Sequence, residues 1–159
     1  MTAIVCVSKN WGIGKNNDLL FHIGSDLKRF RSLTLGQNII MGRKTLESFP
    51  NGNPLPKRNN IVLSTTMEPR KGVTVVRSVD EAMEYMTEDS YLCGGEQIYR
   101  LLLPYCSRAL VTVVDEEVES EHFFPNLDEM PEWKIESISE EMEEDGHRFR
   151  FIDYVNQPL

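Results

Sequence analysis

Asp26 is the side chain of this sequence best placed to do chemistry. It lies in Leu20-Phe21-His22-Ile23-Gly24-Ser25-Asp26-Leu27-Lys28-Arg29-Phe30, where a short amphipathic helix begins. Leu27, Phe30, Leu33 and Thr34 recur at helical spacing, Ser25 is the predicted N-cap and Gly36 the predicted stop. Asp26 shares a side with Phe30 and Leu33, a placement that turns it toward an apolar pocket rather than water. An Asp in a first helical turn also simply complements the helix dipole, so the residue alone decides nothing.

Cations, hydroxyls and glycines elsewhere have the form of an anion site. Ile39-Ile40-Met41-Gly42-Arg43-Lys44-Thr45 joins a strand end to a glycine, two cations and a hydroxyl at a helix start. Leu92-Cys93-Gly94-Gly95-Glu96-Gln97 is a strand, two glycines and a helix, although paired glycines also make a bare tight turn. Ser64-Thr65 closes another strand, either as a turn or, with Arg43-Lys44, as a receiver of a phosphate monoester. Arg58 follows a Pro-rich loop and suits a ligand carboxylate or plain solvation. Neither glycine segment is a GxGxxG or Walker A sequence, so the standard dinucleotide fingerprint is absent.

The elements that must carry these groups alternate. Thr2 to Ser8 reads as a strand buried on both faces, and Lys9 to Asp18 as a mobile Asn/Gly loop. Asn38 to Met41 is a strand followed by a helix from Gly42 through Phe49, and Pro50 to Lys57 is an irregular loop. Asn60 to Ser64 and Val73 to Val76 are strands, Val79 to Met86 a helix, and Glu96 to Leu103 a helix stopped by Pro104. Ala109 to Val114 is a buried strand. Trp133 to Ser139 and Phe149 to Val155 alternate with period 2 about a predicted hairpin turn at Glu143-Glu144-Asp145-Gly146. The expected fold is α/β in a single domain over residues 1–159. It has a mostly parallel twisted sheet of about eight strands, an antiparallel C-terminal edge hairpin and about four flanking helices.

Composition narrows the partners. Lys+Arg 17 against Asp+Glu 25 gives a net charge of -8, which disfavours a nucleic-acid role. Lys28, Arg29, Arg31, Arg43, Lys44, Lys57 and Arg58 nevertheless cluster in the N-terminal third, enough for a small anion. No apolar run approaches a membrane span, no signal-peptide pattern opens the sequence, and Cys6, Cys93 and Cys106 have no metal-ligand spacing. They read as reduced, buried thiols of a cytoplasmic protein, expected to be monomeric and without a metal.

Together the segments resemble dihydrofolate reductase, in order and over nearly the whole chain. The matching pieces are Gly12-Ile13-Gly14, Ser25 to Phe30, Ile40-Met41-Gly42-Arg43-Lys44-Thr45 with Glu47-Ser48, and Pro54 to Ser64. They continue with Gly94-Gly95 through Ile98-Tyr99, Thr112, and Phe124-Pro125. The resemblance implies reduction of 7,8-dihydrofolate to tetrahydrofolate by hydride from NADPH, with antifolates as inhibitors. It implies that Asp26 grips the pterin and promotes protonation at nitrogen 5, that Thr112 bridges to it, and that Phe21 and Leu19 join them at the reaction centre. Val5, Cys6, Leu27, Phe30, Phe49, Leu55, Cys93 and Tyr99 would line the substrate, while Arg58 pairs with its α-carboxylate. Ile13, Gly14 and Leu19 would belong to a mobile loop over the nicotinamide. Gly42, Thr45, Gly94, Gly95, Glu96, Gln97, Ile98 and Tyr99, with Cys6, Leu63 and Cys93, would hold the cofactor across a cis Gly94-Gly95 peptide. Arg43, Lys44, Ser64 and Thr65 would take its 2'-phosphate.

Four positions depart from the family pattern: Phe21 replaces the usual bacterial Trp, Leu20 and Gly24 replace prolines, and Gln97 replaces a common cation. Two rivals remain: a reductase of a ribosylated pyrimidine, which would want a phosphate site where Asp26 stands, and a non-catalytic pterin or nucleotide binder.

Overall fold

The apolar runs of the sequence become the centre of one twisted sheet in a computed structural model, whose described residues are 1–158. In chain order the elements are β1 (Thr2–Val7), β2 (Gly12–Lys15), β3 (Asp18–Leu19), α1 (Gly24–Thr34), β4 (Asn38–Gly42), α2 (Arg43–Glu47), β5 (Asn59–Leu63) and β6 (Val73–Val76). They continue as α3 (Val79–Met83), β7 (Tyr91–Leu92), α4 (Glu96–Leu102), β8 (Arg108–Val114), β9 (His122–Phe123), β10 (Trp133–Ile138), β11 (Met142–Glu144) and β12 (His147–Asn156). The sheet runs β10-β12-β8-β1-β7-β4-β5-β6, with β11 added on β12. From β8 to β6 all neighbours are parallel, while β12 and β10 run antiparallel at one edge. This is the α/β architecture the sequence implies.

Central strands are covered on both faces, which is why they read as unbroken apolar runs. In β4, Ile40 joins the cluster of Val7, Leu92, Tyr99 and Leu102, while Ile39 and Met41 join Leu46 and Val62 on the other side. Strand β1 departs from the expected two-sided burial. Ala3, Val5 and Val7 are buried, but Thr2, Ile4 and Cys6 are only half-buried. The Cys6 thiol lies against the Asp26 carboxyl, so that face of the strand end borders the acid instead of a covering layer.

Several boundaries differ from expectation for identifiable reasons. Lys9 to Asp18 is not a plain loop, because Asn16 and Asn17, with φ of 54° and 60°, turn β2 back onto β3. Both central residues at positive φ define a type I′ hairpin turn, which Asn tolerates. Strand β9 completes a second small sheet, β3-β2-β9, from far along the chain. The Pro50 to Lys57 segment contains a 3-10 turn at Pro50–Gly52, with Pro at its start. Helix α2 ends at Glu47 rather than Phe49.

Helix α3 stops at Met83 rather than Met86, since the next bonds, Tyr85 N–H to Ala82 O and Met86 N–H to Met83 O, span three residues. At the C-terminal edge only Asp145 and Gly146 turn, at φ of 52° and 82°, and Glu143 and Glu144 belong to β11. β12 then pairs with β11 at its start and β10 at its end, so the hairpin partner of β12 is β11 and not the Trp133 strand.

Candidate active site

Helix α1 presents Asp26 without the cap predicted for it. Ser25 lies inside the helix, Ile23 precedes it with no side-chain cap, and the Ser25 N–H donates to Glu144 Oε2 at 3.0 Å. A carboxylate from β11, far along the chain, thus satisfies an orphan donor in the first turn. A Cβ at Gly24 would lie 3.3 Å from that same oxygen, so the missing side chain there leaves room for the contact.

Asp26 Oδ1 accepts a 2.6 Å hydrogen bond from Thr112 Oγ1 on β8. Thr112 pairs in register with Cys6 on β1, which places the thiol, the hydroxyl and the carboxylate around one point at the strand ends. Burial pushes the Asp26 carboxyl above its ordinary range, while the Thr112 hydrogen bond, the Arg29 charge and Cys6 pull the other way. The arrangement is a desolvated acid with one oxygen tied to the protein and a raised affinity for a proton.

Arg58 is half-buried and held by uncharged partners. Its Nε donates to Thr34 Oγ1 at 3.1 Å, Nη1 to the Pro56 carbonyl at 2.7 Å and Nη2 to the Arg31 carbonyl at 2.5 Å. Among the described residues no carboxylate answers its charge, so a fixed guanidinium stands ready for an anion. Phe30 on α1 is half-buried, and Phe49 and Leu55 pack partly exposed on the Met41–Leu46 cluster.

The two glycine junctions close on each other. The Gly94-Gly95 peptide is cis, and the Gly42 N–H donates to the Gly94 carbonyl at 2.8 Å. A Cβ on Gly42 would meet Ile98 Cγ1 at 3.0 Å, and one on Gly94, at φ +116°, would meet the Tyr99 ring at 3.2 Å. Thr45 Oγ1 lies 3.7 Å from where a Gly95 Cβ would be. Backbone amides and a hydroxyl therefore line a cradle that side chains would fill, which fits a diphosphate.

Beyond it Arg43 pairs with Glu47 at 3.3 Å, while Lys44 makes no ion pair among the described residues. Ser64 Oγ accepts from the Met67 N–H at 3.0 Å, and its carbonyl accepts Arg77 Nη1 at 3.0 Å. Arg77 is a cation that the sequence reading missed. The signal was present: Leu63 and Val76 are paired on adjacent parallel strands, so the residues that follow them, Ser64 and Arg77, emerge side by side.

The remaining predicted site residues differ in burial and contacts. Tyr99 is buried behind Gly94, its hydroxyl donating to the Ile4 carbonyl at 2.6 Å, and it forms the wall of the site rather than an open contact. Ile13 is a core residue, whereas Leu19 on β3 is exposed. Phe21 packs with Ile23, Val114 and Phe149, edge-on to His147 at 5.4 Å. Glu96 is occupied as a staple: Oε1 accepts Phe123 N–H at 3.2 Å and contacts His122 Nδ1 at 3.3 Å, and Oε2 accepts Arg100 Nε at 3.2 Å. Burial would raise its carboxyl, but these bonds hold it below the usual range. Gln97 is exposed, and Leu63, Cys93 and Ile98 are half-buried. A concavity of about 850 Å³ lined by Leu103, Phe124, Met130 and Trp133 contains none of the predicted site residues.

An open α/β sheet whose strand ends gather a half-buried acid, a clamped arginine and a glycine cradle has the form of a small-molecule enzyme site. Residues 1–156 match the family model described as Dihydrofolate reductase. The Dihydrofolate reductase of Bacillus subtilis (strain 168) is 37% identical over 156 residues, covering 95% of this chain and 91% of the relative. That of Haemophilus influenzae is 38% identical over 135 residues, covering 84% and 82%, and that of Neisseria meningitidis serogroup B is 34% identical over 158 residues, covering 98% and 97%. The chain belongs to the dihydrofolate reductase family.

Proposed function

We propose that this chain reduces 7,8-dihydrofolate to 5,6,7,8-tetrahydrofolate with NADPH, as its family membership implies, and that Asp26 is the group that manages the proton. The observation that carries the reading is the desolvated Asp26 carboxyl tied through one oxygen to Thr112. A carboxylate held in this way can accept two parallel hydrogen bonds from the amidine edge of the pterin. Its raised proton affinity keeps an acidic proton in the site at higher pH than an ordinary Asp would, and so favours protonation at pterin nitrogen 5. Bound NADPH supplies the hydride that carbon 6 of the pterin accepts. The chain positions the reactants: Arg58 takes the α-carboxylate of the glutamate tail, Phe30, Phe49 and Leu55 flank the benzoyl ring, and the small sheet of β2, β3 and β9 excludes water. Thr45 and the Gly42 and Gly94-Gly95 backbone take the diphosphate, and Lys44, Arg43, Ser64, Thr65 and Arg77 the 2'-phosphate that separates NADPH from NADH.

Antifolates compete for the same acid. No helix among the described residues is long and apolar enough to cross a membrane. The free thiols of Cys6, Cys93 and Cys106 suit the cytoplasm, where we place the protein. The test is loss of NADPH absorbance with dihydrofolate, with NADH as the control. Asp26→Asn is expected to lose turnover roughly 100-fold or more at neutral pH while keeping NADPH affinity. Unchanged turnover would overturn the acid assignment.

A further inference from the structure

Arg29 follows Asp26 by one helical turn on α1, the spacing at which side chains share a face. Its guanidinium carbon lies 4.1 Å from the centroid of the Phe151 ring, and Nη2 lies 3.8 Å from Asp153 Oδ1. Phe151 is the register partner of Thr112, the residue that holds Asp26, so ring and hydroxyl project from the same face of adjacent strands. The stack fixes the cation beside the acid instead of releasing it to water, for Arg29 is only 27% exposed.

We propose that Arg29 is a positioning residue that sets the proton affinity of Asp26, its field attenuated by the Asp153 carboxylate it also faces. An arginine does not lose its proton in the working pH range, so its field on the acid is constant and favours the carboxylate. The direction agrees with Arg29 being among the groups that pull the buried Asp26 carboxyl back toward its ordinary range. Other groups facing the pair do not supply this charge. Cys6 on β1 and Tyr99 on α4 are neutral, their titrations pushed up by burial. Tyr91 on β7 senses the same Arg29 charge, and Glu144 on β11 is spent on the Ser25 N–H.

The inference rests on Asp26 being the acid, so the test separates the two. Single-turnover hydride transfer is followed against pH, each variant normalised to its low-pH plateau, because product release can mask the step in steady state. Arg29→Met keeps the stem over Phe151 and removes the charge. Its profile moves alkaline, with transfer at pH 8.5 about threefold faster than wild type on the normalised scale. Arg29→Lys restores the wild-type profile, and Asp153→Asn moves it acid. Asp26→Asn flattens it. If Arg29→Met and Asp153→Asn both leave the midpoint unmoved while Asp26→Asn flattens the profile, the Arg29 proposal fails and the acid reading stands. If Asp26→Asn keeps the wild-type profile, both fail. Should Arg29→Met not fold, Asp153→Asn decides alone: an acid displacement supports the proposal and none overturns it.

Discussion

Arg58 owes its readiness to being held by uncharged partners. Three hydrogen bonds to the Thr34 hydroxyl and the Pro56 and Arg31 carbonyls fix the plane of the guanidinium without neutralising it. A surface arginine paired with a carboxylate would have to break that pair before binding, whereas this one has little side-chain entropy left to lose. Lysine brings the charge but cannot span three acceptors from one planar group. Arg58→Lys is therefore expected to raise KM for dihydrofolate about tenfold or more with kcat little changed, read by steady-state kinetics. Reduction of a dihydropterin without the glutamate tail should be indifferent to the substitution. Asp26 poses the opposite problem, since accepting hydrogen bonds from a pterin would need a charge that burial disfavours while the proton step would use the affinity that burial confers, and Thr112 and Arg29 moderate that conflict from two elements.

At the scale of elements, the small sheet of β2, β3 and β9 depends on close approach at Gly12. A Cβ there would stand 1.9 Å from Ser120 Oγ, 2.7 Å from Ser120 Cβ and 2.9 Å from Ser8 Oγ, and the Gly12 N–H donates to Ser8 Oγ at 2.9 Å. Rotating the serine hydroxyl relieves the first contact, but Ser120 Cβ moves only if its backbone moves. Gly12→Ala is expected to displace β2 from the β8–β9 connection, lowering hydride transfer at least several-fold and Tm by a few degrees. Stopped-flow transfer and thermal unfolding check both. The other side of that sheet is fastened by Glu96, which receives the Phe123 N–H and His122 from β9. Residues read from sequence as a loop form a paired hairpin, and Glu96, read as a cofactor contact, also staples its neighbour.

For the molecule as a whole, the site is placed at a cost in stability. The folded state raises the proton affinity of Asp26 above that of an unfolded chain. Between the ordinary carboxylate range and that raised value the folded protein holds more protons, so stability falls as pH rises through the window. Below the ordinary range both states are protonated and the penalty is absent. Asp26→Asn is therefore expected to have a higher Tm than the wild type at pH 8, the gain shrinking to nothing near pH 3, although its turnover at neutral pH is lost. Thermal unfolding at the two pH values measures it, and equal Tm values at pH 8 would contradict it. The net charge of -8 does not oppose anion binding, because Lys44, Arg43 and Arg77 concentrate positive charge at one sheet end.

Periodicity and turn chemistry were enough to specify the α/β class, the parallel centre and most strands, Val73–Val76 to the residue, because burial on both faces writes an unbroken apolar run. The roles of Asp26, Thr112 and the two glycines came through the resemblance, since hydroxyl and acid stand 86 residues apart and no local pattern joins them. Only the folded chain decided which side chains meet across elements. The Glu144 cap on α1, the Ser64–Arg77 pair, the Glu96 staple, the inward turn of Tyr99 and the Arg29–Phe151 stack all join distant segments. Local sequence encodes which face of an element is apolar. Which distant polar group reaches that face depends on strand order and register, and these exist only once the sheet has assembled.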